Sequence, residues 1–309
     1  MRWLSEFLDP GRFAEWYHAI TRVRSAFRHY HGVEPRLLSP QTFSEKVQWR
    51  KLFDLNPQFA VFSDKLRARN FISECAGAAV LAPLLWVGDD PDALPFEKFE
   101  LPYVVKSTHA SGQTMIVTNA TAFDIAHARA TMKAWLGFCY ATHAEEPGYA
   151  SVPRRIMVEH CLLDRDGKRP LELLFFVFNG QVHYIMPVFV ESGERRSGGF
   201  YDRLWRRLDW FMRKPPPDTA IPRPQRFGEM IELAERLGAG IDHVRVDVYD
   251  CGDRFYVGEL TPYSWGGNSP FHRSEMDAAF GAPWHIKYAA LRALFTVLVR
   301  RRGRVQRTV

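Results

Sequence analysis

The sequence predicts an α+β protein of mostly antiparallel strands, with helices inserted between strand pairs. Three observations carry this. Apolar runs come in pairs around tight turns, as at residues 172–179 and 181–190 flanking Asn179-Gly180, and at 243–249 and 254–260 flanking Asp250-Cys251-Gly252-Asp253. Strands and helices do not alternate in the βαβ order that builds a parallel sheet. No GxGxxG follows an early strand, which counts against a dinucleotide-type sheet. With 309 residues the chain can form two subdomains around a cleft, or one large domain.

Taken in order, residues 1–35 read as one or two amphipathic helices. Thr42 followed by Glu45 has the spacing of a capping box, and Phe43, Val47, Trp49, Leu52 and Phe53 give the helix after it an apolar face. A second helix is expected over residues 56–75, with Pro57 near its start. Residues 79–87 suit an edge strand broken by Pro83, and Asp89-Asp90-Pro91-Asp92 marks a turn. Tyr103-Val104-Val105-Lys106 and Met115-Ile116-Val117 read as a hairpin around a polar loop. Residues 122–141 are helical by composition, and residues 155–163 form a further strand. Residues 191–224 are rich in Arg and Pro and read as irregular, whereas residues 227–237 form a clear helix stopped by Gly238.

Composition narrows the function classes. Hydrophobic residues make up 46% of the chain and aromatic residues 14%, so disorder is disfavoured and flat apolar surface is available for a core or a ring-binding site. Cys75, Cys139, Cys161 and Cys251 lie far apart with no CxxC, which argues against a zinc ribbon or a disulfide framework and for a reducing compartment. No secretory leader is expected in residues 1–22, and no window reaches the roughly 18–20 apolar residues of a membrane span. A cytoplasmic location follows as the expectation. The net charge of +6 is concentrated at the ends, with Arg22, Arg24 and Arg28 beside Trp16, Tyr17 and Phe27, and Arg300, Arg301, Arg302, Arg304 and Arg307 at the other terminus. Two readings stay open for these ends: arginines favoured at helix C-termini by the macrodipole, or peripheral contact with anionic lipid headgroups at the inner face of a membrane. Nucleic acid is not expected as a partner.

Three segments can carry chemistry. In the stretch from Lys106 through Ser107, Thr108, His109, Ala110, Ser111, Gly112 and Gln113 to Thr114, a lysine ends a strand and small hydroxylated residues precede the next one. Backbone N–H groups and hydroxyls there can surround oxyanions, although an ordinary polar hairpin fits equally. Asp247 and Glu259 stand on two strands of one predicted hairpin, and Arg245 and Tyr249 share a face with Asp247 while Val244, Val246 and Val248 take the other. Two carboxylates meeting across strands repel unless a cation separates them, and an oxygen-only set suits Mg²⁺; a salt-bridged exposed hairpin is the alternative. The third segment, Arg155-Ile156-Met157-Val158-Glu159-His160-Cys161-Leu162, is an apolar strand ending in a polar step.

Together these pieces resemble the TupA-like ATP-grasp family, associated with teichuronopeptide and other surface-polysaccharide assembly. The resemblance rests on Thr42-Phe43-Ser44-Glu45-Lys46-Val47-Gln48-Trp49, Asp64-Lys65 with Arg67, residues 103–117, Glu159, Phe175-Phe176-Val177-Phe178-Asn179-Gly180, Phe200-Tyr201-Asp202 with Trp205, Glu229-Met230-Ile231, Val244-Arg245-Val246-Asp247-Val248-Tyr249, and Gly258-Glu259-Leu260-Thr261. It covers roughly residues 36–275 in order. It implies an ATP-grasp fold, two α+β subdomains clasping a nucleotide cleft, with a helical segment at 1–40, the N-terminal and lysine-bearing subdomains at 41–155, the C-terminal subdomain with its metal site at 156–285, and a basic amphipathic tail at 286–309.

The resemblance also implies roles. Lys65 and Lys106 would meet phosphates beneath a loop containing Ser107, His109, Ser111, Gly112 and Thr114. Glu159, His160, Cys161 and Leu162 would form the adenine hinge, and Glu172 would join the nucleotide site. Asp247, Glu259 and Thr261 would hold Mg²⁺, with Arg245 at the γ-phosphate or an acyl-phosphate. One departure is Leu174, where the family pattern leads one to expect a lysine two residues after the acidic Glu172; His183 is a possible replacement cation. The implied activity is an ATP-dependent carboxylate–amine ligase, joining an amino acid or amine to a uronic-acid-type carboxylate on a small-molecule or lipid-linked saccharide. A sugar phosphotransferase on the same fold and a degenerate nucleotide-binding module at the membrane surface are the rivals. The arginines between Glu194 and Trp210 read as a solvated loop or as an acceptor site for an anionic sugar.

Overall fold

The computed structural model describes residues 10–54, 56–119, 123–218, 220–287, 289 and 291–293. The basic residues from Arg300 onward, for which helix-end and membrane-surface readings both stand above, lie outside the described residues. In chain order the main elements are α1 (Pro10–His31), α2 (Phe43–Phe53), α3 (Gln58–Ser63), α4 (Lys65–Ala76), β1 (Leu84–Gly88), β2 (Tyr103–Ser107), β3 (Thr114–Val117), α5 (Ile125–Gly137), α6 (Tyr140–Ala144) and β4 (Ile156–His160). They continue as β5 (Leu171–Phe178), β6 (Gln181–Glu191), β7 (Glu194–Ser197), β8 (Phe200–Asp202), β9 (Arg207–Leu208), α7 (Phe227–Leu237), β10 (His243–Asp250), β11 (Phe255–Thr261) and α8 (Ser274–Gly281). The chain divides into two compact units: Met1–Asn56 with Trp210–Lys214 and Tyr263–Val309, and Pro57–Asp209 with Pro215–Pro262.

The first unit is helical. The expected capping box at α2 is present: Thr42 accepts from the Glu45 backbone N–H, and the Glu45 carboxylate accepts in return from the Thr42 backbone. Glu45 also accepts from the Arg36 guanidinium at 2.8 Å and from the Gln41 N–H at 2.9 Å, so one buried carboxylate fixes both the helix start and the chain entering it. Val23, Trp49, Leu52, Phe53 and Ala293 form its core, and Phe43 packs edge-on against Phe280 with ring centroids 4.9 Å apart. Two long-range bonds tie α2 to the C-terminal segment, Asp277 to the Ser44 N–H at 3.0 Å and Lys46 to the Gly281 carbonyl at 2.9 Å.

The second unit holds two antiparallel sheets. The smaller has strand order β1-β4-β2-β3, with a core of Tyr103, Val105, Val117, Met132, Ile156 and Val158. The larger has order β11-β10-β5-β6-β8-β9, with β7 paired, among the described residues, to β6 alone. Asn179 and Gly180 both take positive φ, 51° and 79°, the geometry a two-residue hairpin turn demands between β5 and β6. Helix α7 covers one face of the larger sheet with Phe227, Met230, Ile231, Leu233, Ala234 and Leu237 all buried. Gly238 ends it where a side chain has no room: an added Cβ would lie 2.5 Å from Val177 Cγ1.

Three boundaries differ from the sequence reading. The helix expected over 56–75 is two helices broken at Asp64, whose extended backbone (φ −92°, ψ 109°) lets its carboxylate cap the Leu66 and Arg67 N–H groups. The strand expected over 79–87 begins only at Leu84, because Pro83 precedes it and residues Ala78–Val80 take a 3₁₀ turn. Residues 191–224, expected to be irregular, supply β7, β8 and β9.

Candidate active site

A cavity of about 410 Å³ opens between the two sheets of the second unit, within the size range of small-molecule sites. From the smaller sheet, Val104, Lys106, Thr114, Ile116 and Glu159 face it. The register explains this set: Lys106 pairs with Thr114, and Val104 with both Ile116 and Glu159, so all five share one face. From the larger sheet come Glu172, Arg245, Asp247, Tyr249 and Glu259. Asp247 pairs with Glu259 on one side and Leu174 on the other, and Tyr249 pairs with Glu172. Gly258 interrupts the β10–β11 ladder between the Asp247–Glu259 and Val248–Val257 pairs as a bulge, and a Cβ there would meet the Tyr249 ring at 2.5 Å. The bulge is what keeps Glu259 on the Asp247 face.

The charges are arranged by partner. Lys106 is ion-paired to Glu159, which is also held by Arg69 at 3.3 Å. Arg69 is one helical turn beyond Lys65 on α4, so both reach the same region. Arg245 grips Asp247 with two bonds of 2.6 and 2.7 Å and donates a third to the Thr261 hydroxyl at 3.1 Å. Burial opposes the Arg245 charge, but the Asp247 pair outweighs it and holds the guanidinium above its usual value. Asp247 is only 2% exposed. Burial pushes its carboxyl above the ordinary range, the charges of Glu172 and Glu259 add to the push, and Arg245 pulls the other way.

Two charged groups in the cavity have no ion-pair contact among the described residues. Lys65 donates to the Ala110 carbonyl and has no ion-pair partner among the described residues; burial pushes its ammonium down, with Glu259 opposing. Glu259 has no hydrogen-bond or ion-pair partner among the described residues. An unpaired lysine calls for an anion, and an unpaired carboxylate beside a buried one calls for a hard cation. Among the described residues no cluster of three His, Cys, Asp or Glu side chains is placed to hold a metal alone. That is compatible with Mg²⁺, which takes one or two carboxylates and completes its shell with water and ligand oxygens.

The loop between β2 and β3 is anchored at its base and exposed at its tip. Thr108 donates its backbone N–H to the Arg155 carbonyl at 2.9 Å and its hydroxyl to the Pro153 carbonyl at 3.0 Å. Ser111 and Gly112 line the cavity, with Gly112 at φ 76°, and the Ser111 hydroxyl meets Tyr140. His160, which ends β4, and Cys161 and Leu162 just beyond it line the wall, with Val188, Phe189 and Val190 also bordering the cavity.

Of the residues singled out in the sequence, Lys65, Lys106, Ser111, Gly112, Thr114, Glu159, His160, Cys161, Leu162, Glu172, Arg245, Asp247 and Glu259 therefore line one cavity. Ser107, His109 and Thr261 do not. Strand alternation turns the fully buried Ser107 away from Lys106, and His109 points into the core, where it meets the Trp135 carbonyl at 3.0 Å. The Thr261 hydroxyl accepts from Arg245. His183 does not replace the missing cation: it lies outside the cavity, against Phe178 and Tyr184. The arginines read as an acceptor patch are mostly neutralised, Arg203 by Glu235 at 2.9 Å, Arg206 by Asp202 at 2.6 Å and Arg196 by Glu191 at 3.3 Å. Arg69 and Arg169 were not singled out for the site, and Arg195, which lines the cavity, only among the arginines read as a solvated loop or an acceptor site; the i,i+4 spacing from Lys65 is the signal that finds Arg69.

Comparison with solved structures gives likenesses of low identity. The ADP complex of PurK, N5-carboxyaminoimidazole ribonucleotide synthetase, is 13% identical at a TM-score of 0.45, covering 71% of this chain and 50% of that one. The ATP-grasp ligase PsnB with its minimal precursor is 13% identical at 0.40, covering 79% and 62%. D-alanine–D-alanine ligase from Bacillus anthracis with ATP is 16% identical at 0.43, covering 79% and 68%. The chain thus spans less than two thirds of the first two. Comparison with curated proteins gives no match. The family described as TupA-like ATPgrasp matches residues 45–285, a span that contains every cavity-lining residue and more than half of the chain. By that match the chain belongs to the TupA-like ATPgrasp family.

Proposed function

We propose that this chain is an ATP- and magnesium-dependent ligase that joins a carboxylate to an amine through an acyl-phosphate. The observation that carries the reading is the meeting, in one cavity, of Lys65 and Lys106 from one side with Asp247 and Glu259 from the other. Lys65, Lys106, Ser111 and Gly112 would hold the phosphates, and the apolar wall by Leu162 and Val188 the base. Asp247 and Glu259 would hold Mg²⁺, which supplies charge neutralisation between the phosphate oxygens. Arg245, already buried and fully charged, is fixed by Asp247 and offers its remaining surface to an anionic oxygen. Catalysis on such a site is positioning plus electrostatic stabilisation of a migrating phosphoryl group.

For the substrates we propose a uronic-acid-type carboxylate on a saccharide, small or lipid-linked, and an amino acid or amine, with the reaction taking place in the cytoplasm. These assignments follow the family resemblance. No helix among the described residues is long and apolar enough to cross a membrane.

The test is product analysis. Purified protein is incubated with Mg²⁺, ATP, candidate uronates and amino acids, and products are followed by mass and by free phosphate. A ligase releases phosphate only when both co-substrates are present and yields a product lighter by one water than their sum. Phosphate retained on a saccharide product would instead identify a phosphotransferase, and no turnover of ATP with any acceptor would remove the enzymatic reading.

A further inference from the structure

Strand β5 brings only negative charge to the cavity. Its Glu172 faces inward, and the next residue on that face, Leu174, is an apolar side chain 2% exposed, standing between Asp247 on β10 and Met186 on β6. With Asp247 and Glu259, the larger sheet's wall carries three carboxylates against one guanidinium from its central strands, Arg245. Even with a cation on Asp247 and Glu259, Glu172 would repel a polyphosphate unless its charge were offset.

The compensating cation comes from outside the sheet's main path. Beyond the β5–β6 ladder, which ends at the Glu172–Val188 pair, β6 continues and turns back into β7. Ser192 and Gly193, at φ 52° and 83°, make the two-residue turn, and Glu191–Glu194 and Val190–Arg195 are its first pairs. Val190 and Arg195 thus share a face, and both line the cavity. One Arg195 N–H is donated to Glu172 Oε2. A guanidinium has five N–H donors in a planar fork, and the others on Arg195 have no partner among the described residues. Glu172 lines the cavity together with Arg245 and Asp247, so its bond holds Arg195 on the carboxylate side of the cavity.

We propose that Arg195, held at the cavity rim by Glu172 on the β6–β7 hairpin, is a phosphate-binding residue of the nucleotide site. The proposal rests on the nucleotide reading given above. It assigns to a β-hairpin the positive charge that strand β5 lacks at Leu174. Arg195 adds little to the stability of the fold: its side chain is 59% exposed, and an ion pair at that exposure contributes little.

The experiment is calorimetric titration of the whole chain with Mg·ATP, Mg·ADP and adenosine, for wild type, Arg195→Ala, Arg195→Lys and Lys106→Ala. Arg195→Ala is expected to lose about ten- to a hundredfold in affinity for ATP and ADP, as befits loss of a charge-assisted contact. Adenosine binding should stay within about twofold, and Arg195→Lys should recover part of the loss, since it restores charge without the fork. Wild-type ATP affinity in Arg195→Ala, alongside a loss in Lys106→Ala, overturns the proposal while leaving the nucleotide reading intact. Equal losses for ATP and adenosine also overturn it. A wild type that binds neither nucleotide removes both.

Discussion

Asp247 illustrates how much one side chain in this cavity depends on another. It is almost fully buried, and its two oxygens are both engaged by Arg245. Removing the guanidinium leaves an uncompensated buried carboxylate, a change that costs about 3–5 kcal/mol in comparable sites. Arg245→Ala should therefore lower the urea midpoint markedly, whereas Asp247→Asn, which keeps a hydrogen-bonding partner for Arg245, should cost less. Lys106→Ala makes a different prediction. Glu159 keeps Arg69, so stability should change little while nucleotide affinity drops at least about tenfold, read by titration. At this scale the sequence was informative where side chains alternate regularly: Lys106 and Asp247 sit where strand periodicity places them, whereas Glu259 reaches the Asp247 face through the bulge at Gly258. The sequence placed Ser107 and His109 in the phosphate loop, and the structure turns both away from the cavity, because the loop's polar composition does not reveal that Trp135 offers His109 a carbonyl from 26 residues away.

Among the elements, α2 depends on Glu45. Burial pushes its carboxyl up, but Arg36 and the N–H groups of Gln41, Thr42 and Arg36 outweigh burial, so Glu45 titrates below its ordinary value of 4.5. A carboxyl depressed in the folded state stabilises above its unfolded value, and that contribution is lost as pH falls through the folded one. Glu45→Gln should thus destabilise by about 1–2 kcal/mol at pH 7, and the gap to wild type should narrow as pH falls below the ordinary carboxylate range in urea titrations. The bulge in the β10–β11 hairpin predicts that Gly258→Ala, driving a methyl onto the Tyr249 ring, costs about 1–3 kcal/mol and reduces Mg·ATP affinity through displacement of Glu259. The capping box and α7 were legible because their signals are local. The break at Asp64 was not: Asp64 lies within a helical pattern, and only its extended backbone reveals the cap. Strands β7 to β9 were hidden because Arg-rich, Pro-flanked segments read as loop until β6 supplies an edge for β7 and β8.

Across the whole molecule, the hairpins were readable but the sheet order was not. Placing β10 beside β5 joins residues some 70 positions apart, as in the Asp247–Leu174 pair, and no local pattern encodes that pairing. The same pairing puts Asp247, Glu172 and Tyr249 on one face opposite Lys106, so the cavity is a product of topology acting on locally legible strands. The claim that this cavity takes a metal–nucleotide complex is tested most directly by thermal unfolding of the chain with saturating ATP, in excess Mg²⁺ and in EDTA. A ligand at a hundredfold its dissociation constant stabilises by about 2.7 kcal/mol, so a clear rise in the unfolding temperature is expected with Mg²⁺. Most of that rise should vanish in EDTA and in Glu259→Gln. An unfolding temperature unmoved by saturating Mg·ATP in the wild type would contradict it.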